Sequence, residues 1–538
     1  MIHLIPQPNG PIKADSQQWI LPQTLSLCDS SFAPYCTEAF LARTGVKPGG
    51  GAPLRLIKDS RLPAEAYDLT ISTAGIQATA SSEAGIIWAL TTVFCLLREG
   101  QLPCCTIQDQ PAFPHRGVLL DCARHFFSCA EVKRVIEGIS LAKINVLHWH
   151  LSDDQGWRIE SKRFPLLQQT SGAYYTQQEI REIVEFARVR GVEILPELDM
   201  PGHTAGILAA YPQYSCSGKT VSLARTGGIY PIILCPGREE TFRFLQMLLE
   251  EILPLFPGPR FHIGGDEAPK AEWAKCPCCQ KRMQDEHLNR LNALQGYFTA
   301  RVAEFLKQNG KQAVCWNETL AAGNTPQELL IQYWTPDHRA EMEPFIRSGG
   351  RWIYSDMFAL YLDYPYSMTP LRRVYTALPH LGKKVCTAKD GLLGMECCLW
   401  TEHIEQGDAL ERMLFPRVYA LAERCWSGAQ KQDYADFCRR LQEALCGGCF
   451  SGAACQPAAG WDPRGRARRR EALAYFHKMN AAMSSETREQ TLQAARPSRE
   501  FQQSFLNSFF RPSDMPFLLC ALKKGAAEQT KEENHAKD

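Results

Sequence analysis

Arg116-Gly117-Val118-Leu119-Leu120-Asp121 and, further on, Ile144-Asn145-Val146-Leu147-His148-Trp149-His150 are short apolar runs, each ending on polar, chemically versatile side chains. Between them, residues 129–142 carry apolar side chains at helical spacing. Strand, helix and strand in that order make one β-α-β unit, whose two strands are parallel. The alternation continues along the chain. Candidate strands follow at 192–198, 260–264, 312–316, 329–334, 351–355 and 394–400, with candidate helices at 177–189, 238–253, 290–308 and 405–425. Eight strands alternating with helices predict an α/β fold, a (β/α)8 TIM barrel.

Outside the barrel the pattern changes. Residues 66–71 and 75–80 alternate polar and apolar as strands do, and Ser82 is a candidate N-cap for an apolar helix over 83–97. Residues 1–110 are therefore expected to form a small α+β domain, with Pro111 and Pro114 marking its end. The barrel is expected over 111–450. Residues 451–538 are expected to form a C-terminal helical extension. Across that boundary the Gly/Ala/Pro-rich stretch from Cys446 to Gly460 reads as a linker; beyond it, residues 470–495 read as helical and the polar end from Ala526 as a disordered tail.

Composition narrows the function classes. The 538 residues are 45% hydrophobic, with 59 Lys and Arg against 58 Asp and Glu. Such balance gives no electrostatic reason to expect nucleic acid or an anionic membrane as partner. The basic run Arg464–Arg470 reads as a solvated face. No apolar run reaches membrane-spanning length, and the first residues lack a basic stretch followed by an apolar one. With 22 cysteines, many inside apolar runs, the expected setting is reducing and cytoplasmic. Cys276-Pro277-Cys278-Cys279 and the set Cys446, Cys449 and Cys455 have spacings that zinc uses, but the two groups are far apart in sequence, so no metal site and no cofactor is expected.

Active sites of parallel barrels lie at the C-terminal ends of the strands. Here those ends read Asp121 with Arg124, then His148 to Asp154, Glu197 to His203, Gly264-Gly265-Asp266-Glu267, Trp316-Asn317-Glu318, Tyr333-Trp334, Tyr361-Leu362-Asp363 and Trp400-Thr401-Glu402. Aromatic faces suit the apolar faces of pyranose rings, and carboxylates with Arg suit hydroxyls. Carboxylates also supply the acid and base of glycosidic cleavage. The adjacent Asp266 and Glu267 are the sharpest feature. Their rival reading is a helix cap followed by a first-turn acid. His148 and His150 read as hydrogen-bonded barrel histidines. Taken by themselves, Trp316, Trp334 and Trp400 read as ordinary barrel-core aromatics.

The run His262-Ile263-Gly264-Gly265-Asp266-Glu267 resembles the His-x-Gly-Gly-Asp-Glu motif of the family 20 glycoside hydrolases, the β-N-acetylhexosaminidases. Residues 116–127, 145–154 and 196–203 resemble that family's first three barrel strands, and residues 66–97 its preceding α+β domain. The likeness runs in order over about residues 55–430. It implies an exo-acting, retaining enzyme for terminal β-linked GlcNAc or GalNAc on an oligosaccharide or glycoconjugate. It also implies substrate assistance, in which the 2-acetamido oxygen attacks and closes an oxazolinium ring. By matching position, Glu267 is the general acid and base, Asp266 orients the acetamido group, and Tyr361 hydrogen-bonds its oxygen. Trp316, Trp334 and Trp400 wall the pocket. Arg124, Asp363 and Glu402 bind ring hydroxyls, and Asp153 with His203 supports Glu267. Two other readings remain: a retaining glycosidase of another sugar, and a catalytically silent carbohydrate-binding protein.

Overall fold

The computed structural model describes residues 2–28, 30–428, 433–450, 453–482 and 508–509. Eight parallel strands close a barrel in chain order: His115–Asp121, Val146–His150, Glu193–Glu197, Arg260–His262, Gln312–Trp316, Leu330–Tyr333, Arg351–Tyr354 and Leu392–Leu399, the last pairing with the first. These are the eight expected strands. Helices Cys129–Leu141, Gln177–Arg188, Glu239–Ile252 and Leu291–Gln308 stand where the spacing predicts them. Two begin with a reciprocal capping box, Ser128 with Glu131 and Thr176 with Glu179, which satisfies otherwise unpaired N–H groups. The helix expected over 405–425 is instead two, Gly407–Leu414 and Arg417–Ser427. Pro416 divides them, because it has no N–H to donate inside a helix and is tolerated only where one begins.

A mixed seven-stranded sheet precedes the barrel, ordered Ile12–Ile20, Gln101–Asp109, Tyr67–Ser72, Gly75–Ala80, Ala52–Lys58, Thr24–Cys28, Lys47–Pro48. Ser82 caps helix Glu83–Leu96 by accepting the Gly85 N–H. That helix is buried nearly all round because it lies between sheet and barrel, with Trp88 edge-on to Trp426. The sheet seats on the N-terminal ends of the strands. Lys143 Nζ lies 3.0 Å from Asp109 and 4.3 Å from the Trp426 ring centroid, and Trp426 Nε1 donates to Asp109. Arg116, fully buried, pairs with Glu65.

On the C-terminal side, the stretch read as a linker is packed. Phe450 stacks on Tyr419 at 4.1 Å, the Gln456 N–H donates to Phe415 O, and Trp461 is buried. These aromatics supply the packing that the small residues around them conceal. Helix Gly465–Ala482 follows, starting ahead of the expected 470 and carrying the basic run in its first turns. The expected continuation of that helix to 495 and the expected tail lie outside the described residues. Among the described residues, no helix is long and apolar enough to cross a membrane.

Candidate active site

The barrel interior changes character from bottom to top. Val146, Leu195, Val314, Leu330 and Ile353 form an apolar layer. Through and above it runs a lattice of buried acids and imidazoles, from His115 at the start of the first strand to Glu197 at the end of the third. Glu396 pairs with His115 at 2.8 Å and His148 at 2.8 Å, and Glu197 pairs with His148, His150 and His262. Buried ions survive only with such partners. His148 and His150 are thus hydrogen-bonded, as expected. Burial, which lowers the His148 pKa, is outweighed by Glu197 and Glu396, and the imidazole is pushed up to about 9. The same contacts overcome burial to hold Glu396 and Glu197 well below the usual carboxylate range.

The fourth strand stops early because Gly264 and Gly265 take φ of 63° and 101°. A Cβ on Gly264 would sit 1.7 Å from Asp199 Oδ1, and one on Gly265 would sit 2.4 Å from Thr319 Oγ1. Glycine is the residue that fits both positions. Glu267 follows with φ of 44°, a left-handed conformation rare for a residue with a side chain. The next helix begins only at Ala271, with Lys270 at its N-cap, so Asp266 and Glu267 do not act as a cap and first turn. They are turned into the pocket instead. Burial first, then the charges of Glu267 and Glu197, push the Asp266 carboxyl up to about 6 against the opposing His203.

A chain of ion pairs reaches Glu267 from the side. Arg124 Nη2 lies 2.7 Å from Asp153 Oδ2, Asp153 Oδ1 lies 3.2 Å from His203 Nδ1, and His203 Nε2 lies 3.4 Å from Glu267 Oε2. His203 holds φ of 51° to do this. Asp153 is the inward carboxylate of its pair. Asp154 accepts the Ala205 N–H and lies farther from His203, at 3.6 Å. Arg124 reaches beyond Asp121, whose carboxylate is taken by the backbone N–H groups of Ala123, Arg124 and Thr401. Its guanidinium lies 4.9 Å from the Trp400 ring centroid and 4.0 Å from Glu402.

The aromatic residues form a cup. Trp316 is buried and donates its Nε1 to Glu197 at 3.0 Å, so the ionic lattice fixes it. Trp400 lies 6.0 Å from Trp316 and 6.2 Å from Tyr361, and Trp334 stacks on Tyr361 at 6.2 Å. Of the other nearby tyrosines, two are occupied elsewhere and Tyr364 stacks on Tyr361 at 6.4 Å. Tyr354 bonds His380, Tyr366 donates to Phe415 O, and Tyr364 packs on Phe509. The charge of Asp266 is felt at both Tyr361 and Arg124. Asp363 is pushed well above the usual carboxylate range by burial and by Glu402. Asp266 Oδ1, Asp363 Oδ1, Trp334 Nε1 and Arg124 Nε are buried with no hydrogen-bond partner among the described residues. Buried polar atoms left open at one pocket mark a place for polar ligand groups.

Every residue expected at the site from sequence converges here. Three acids that were not assigned a part also belong to it. Glu318 accepts the Glu267 N–H at 3.1 Å, and burial with the charges of Glu267 and Asp266 pushes it up to about 8. Glu197 and Glu396 anchor the floor. Glu396 had one sequence signal, a lone charge inside the apolar run Leu392–Leu399.

Comparison with known proteins agrees with this geometry. Residues 113–429 match the family model described as glycosyl hydrolase family 20, catalytic domain, and residues 32–110 match its domain 2. A β-hexosaminidase of Porphyromonas gingivalis is 35% identical over 445 residues, covering 74% of this chain. The alignment spans only 56% of that relative's own length. The β-N-acetylhexosaminidase structure from Bacteroides fragilis superposes with a TM-score of 0.77 at 28% identity, covering 86% of this chain and 99% of that one. The exo-β-N-acetylglucosaminidase of Vibrio harveyi in complex with N-acetylglucosamine gives 0.76 at 27%, covering 84% and 78%. With its barrel, its preceding sheet and its strand-end acids all of one type, this chain belongs to glycosyl hydrolase family 20.

Proposed function

We propose that the protein is an exo-acting, retaining β-N-acetylhexosaminidase that removes terminal β-linked GlcNAc or GalNAc by substrate-assisted catalysis. The observation that carries this reading is the aromatic cup of Trp316, Trp334, Tyr361 and Trp400 beside Asp266, whose Oδ1 is buried and unpartnered. A cup of that kind suits a methyl-bearing acetamido group, with the open Asp266 oxygen accepting its N–H. The acetamido oxygen, held by the Tyr361 hydroxyl, attacks the anomeric carbon and closes an oxazolinium ring. Ionised Asp266 stabilises the positive charge that develops. Glu267 gives its proton to the leaving oxygen, then takes one from the water that opens the ring. His203 and Asp153 set the position and field of Glu267. Arg124, Glu402 and Asp363 take the ring hydroxyls on the far side of the cup. Most of the described cysteines are buried, which fits the reducing, cytoplasmic setting expected from the sequence.

The test is hydrolysis of paired aryl β-GlcNAc and β-GalNAc glycosides, with the anomer of the product followed by NMR and a thiazoline analogue of the ring intermediate as inhibitor. Turnover with retention and strong thiazoline inhibition are expected. Activity that the thiazoline leaves untouched would sink the substrate-assisted route. Inertness on both sugars would sink the hexosaminidase reading.

A further inference from the structure

A second cluster of reactive side chains lies outside the sugar pocket. Cys216 and Cys235 come from the long segment between the third and fourth barrel strands. Cys276 and Cys279 come from the segment that follows Asp266 and Glu267, at the start of helix Pro277–Asp285. One sulfur from each lies within 4.8 Å of all the others. The Sγ separations are 3.7 Å for Cys216–Cys279, 3.8 Å for Cys235–Cys276 and 3.6 Å for Cys235–Cys279.

Those distances decide between two chemistries. A disulfide needs its sulfurs at about 2.05 Å. Four thiolates on a tetrahedral zinc ion, each bonded at about 2.3 Å, have their sulfurs about 3.8 Å apart, the edge of the tetrahedron. The three Sγ–Sγ edges match the second. The surroundings match it too. Ile233, Trp273 and Leu294 enclose the sulfurs in an apolar shell. Cys276 and Cys279 have knuckle spacing, and the helix N-terminus they share favours thiolates. Gly237 lets the two segments touch, since a Cβ there would sit 2.3 Å from both Cys278 C and Cys279 N. Arg238 stands beside Cys235, and its Nε has no hydrogen-bond partner among the described residues. It offers a cation to a tetrathiolate centre that carries net negative charge.

We propose that Cys216, Cys235, Cys276 and Cys279 bind one structural zinc ion that clamps the segment after the third strand to the segment carrying Asp266 and Glu267. All four positions on the metal are filled by protein, so the ion has no open place for water and takes no part in bond cleavage. Binding sends the thiol protons to solvent. The sequence reading expected no metal because it set Cys276 to Cys279 against Cys446, Cys449 and Cys455. In the fold, Cys449 lies beside Cys95 and Cys446 is exposed. The missing ligands are two single cysteines with no pair spacing to betray them.

The test uses the full chain purified from zinc-supplemented medium without strong chelators. Elemental analysis is expected to give about one zinc per chain. Chain produced with cobalt in place of zinc is expected to show the visible d–d bands and near-ultraviolet charge-transfer band of a tetrahedral tetrathiolate. Both signals are expected to be lost in Cys276→Ser/Cys279→Ser. Chain with less than about a tenth of a zinc, with iron in its place, or with cobalt bands of another geometry overturns the proposal. These readings are made on the unmutated chain, so they decide the matter even if the double variant does not fold.

Discussion

His203 faces Glu267 across 3.4 Å with one ring nitrogen and Asp153 across 3.2 Å with the other. Burial alone would strip the imidazole of its proton, but Asp153, Asp154 and Glu267 outweigh it and hold the ring well above the usual histidine range. The charged ring stands beside the Glu267 carboxyl and fixes its position. Asp153→Asn removes the charge that sustains this. The expected result is a loss of about 10- to 100-fold in kcat, part of the 10²–10⁴ available from a positioned acid–base group. The basic limb of the pH–rate profile should move as well. A purely structural role would change Tm and leave that limb where it is.

On the proposed function, Asp266 is expected to set the acid limb. Its carboxyl is raised to about 6, mainly by burial, so it is ionised above that pH and neutral below. Only the ionised form accepts the acetamido N–H and stabilises a positive ring. kcat/KM for an aryl β-GlcNAc should therefore fall as pH drops through about 6. In Asp266→Asn the plateau should drop and the limb near 6 should disappear. A limb that persists unchanged in the variant assigns it to another group.

Glu267→Gln tests proton transfer separately. With a poor leaving group such as an alkyl or sugar alcohol, the loss should be about 10²–10⁴. With a dinitrophenyl glycoside, whose leaving group departs without a proton, the first step should survive and the slow second step should be exposed as a burst. Equal losses on both substrates would argue against a general acid at this position.

The buried lattice ties stability to pH from both sides. Glu396 and Glu197 lie below their ordinary values, so their contribution is present above about 4.5 and is lost as pH falls through the lowered values. His148 is raised to about 9, so its contribution is full below 6.5 and is lost as pH rises through about 9. Thermal unfolding should give its highest Tm between about pH 4.5 and 6.5. Glu396→Gln should cost about 3–5 kcal/mol, because His148 loses a buried counter-charge and His115 loses the carboxylate it bonds.

How far the sequence announced all this depends on the range of each interaction. Strands such as Val146–His150 and the capping boxes at Ser128 and Thr176 are set by neighbours in the chain, and local pattern finds them. Asp266 and Glu267 stood out through their glycines, whose conformation is also local. Tyr361 could not be separated from Tyr354, Tyr364 and Tyr366 by spacing, since only packing against Trp334 and Trp400 distinguishes it. The partners of Glu396 are His115 and His148, 281 and 248 residues away, and no local signal encodes such a pair. The split at Pro416 was readable, but helical periodicity on either side of it masked the break.

The seating of the N-terminal sheet bears on what can reach the pocket. Lys143, Asp109, Trp426, Arg116 and Glu65 pin it to the end of the barrel opposite the strand-end acids. It is a foundation and no gatekeeper. A branched glycan approaching from the open end meets the loops that follow the strands and, beside them, the helix Gly465–Ala482, whose Lys478 donates to His403 O and whose Tyr475 packs on Tyr364. The bulk of chain that fits there is set by those loops and that helix, and exchanging them is the way to retarget it.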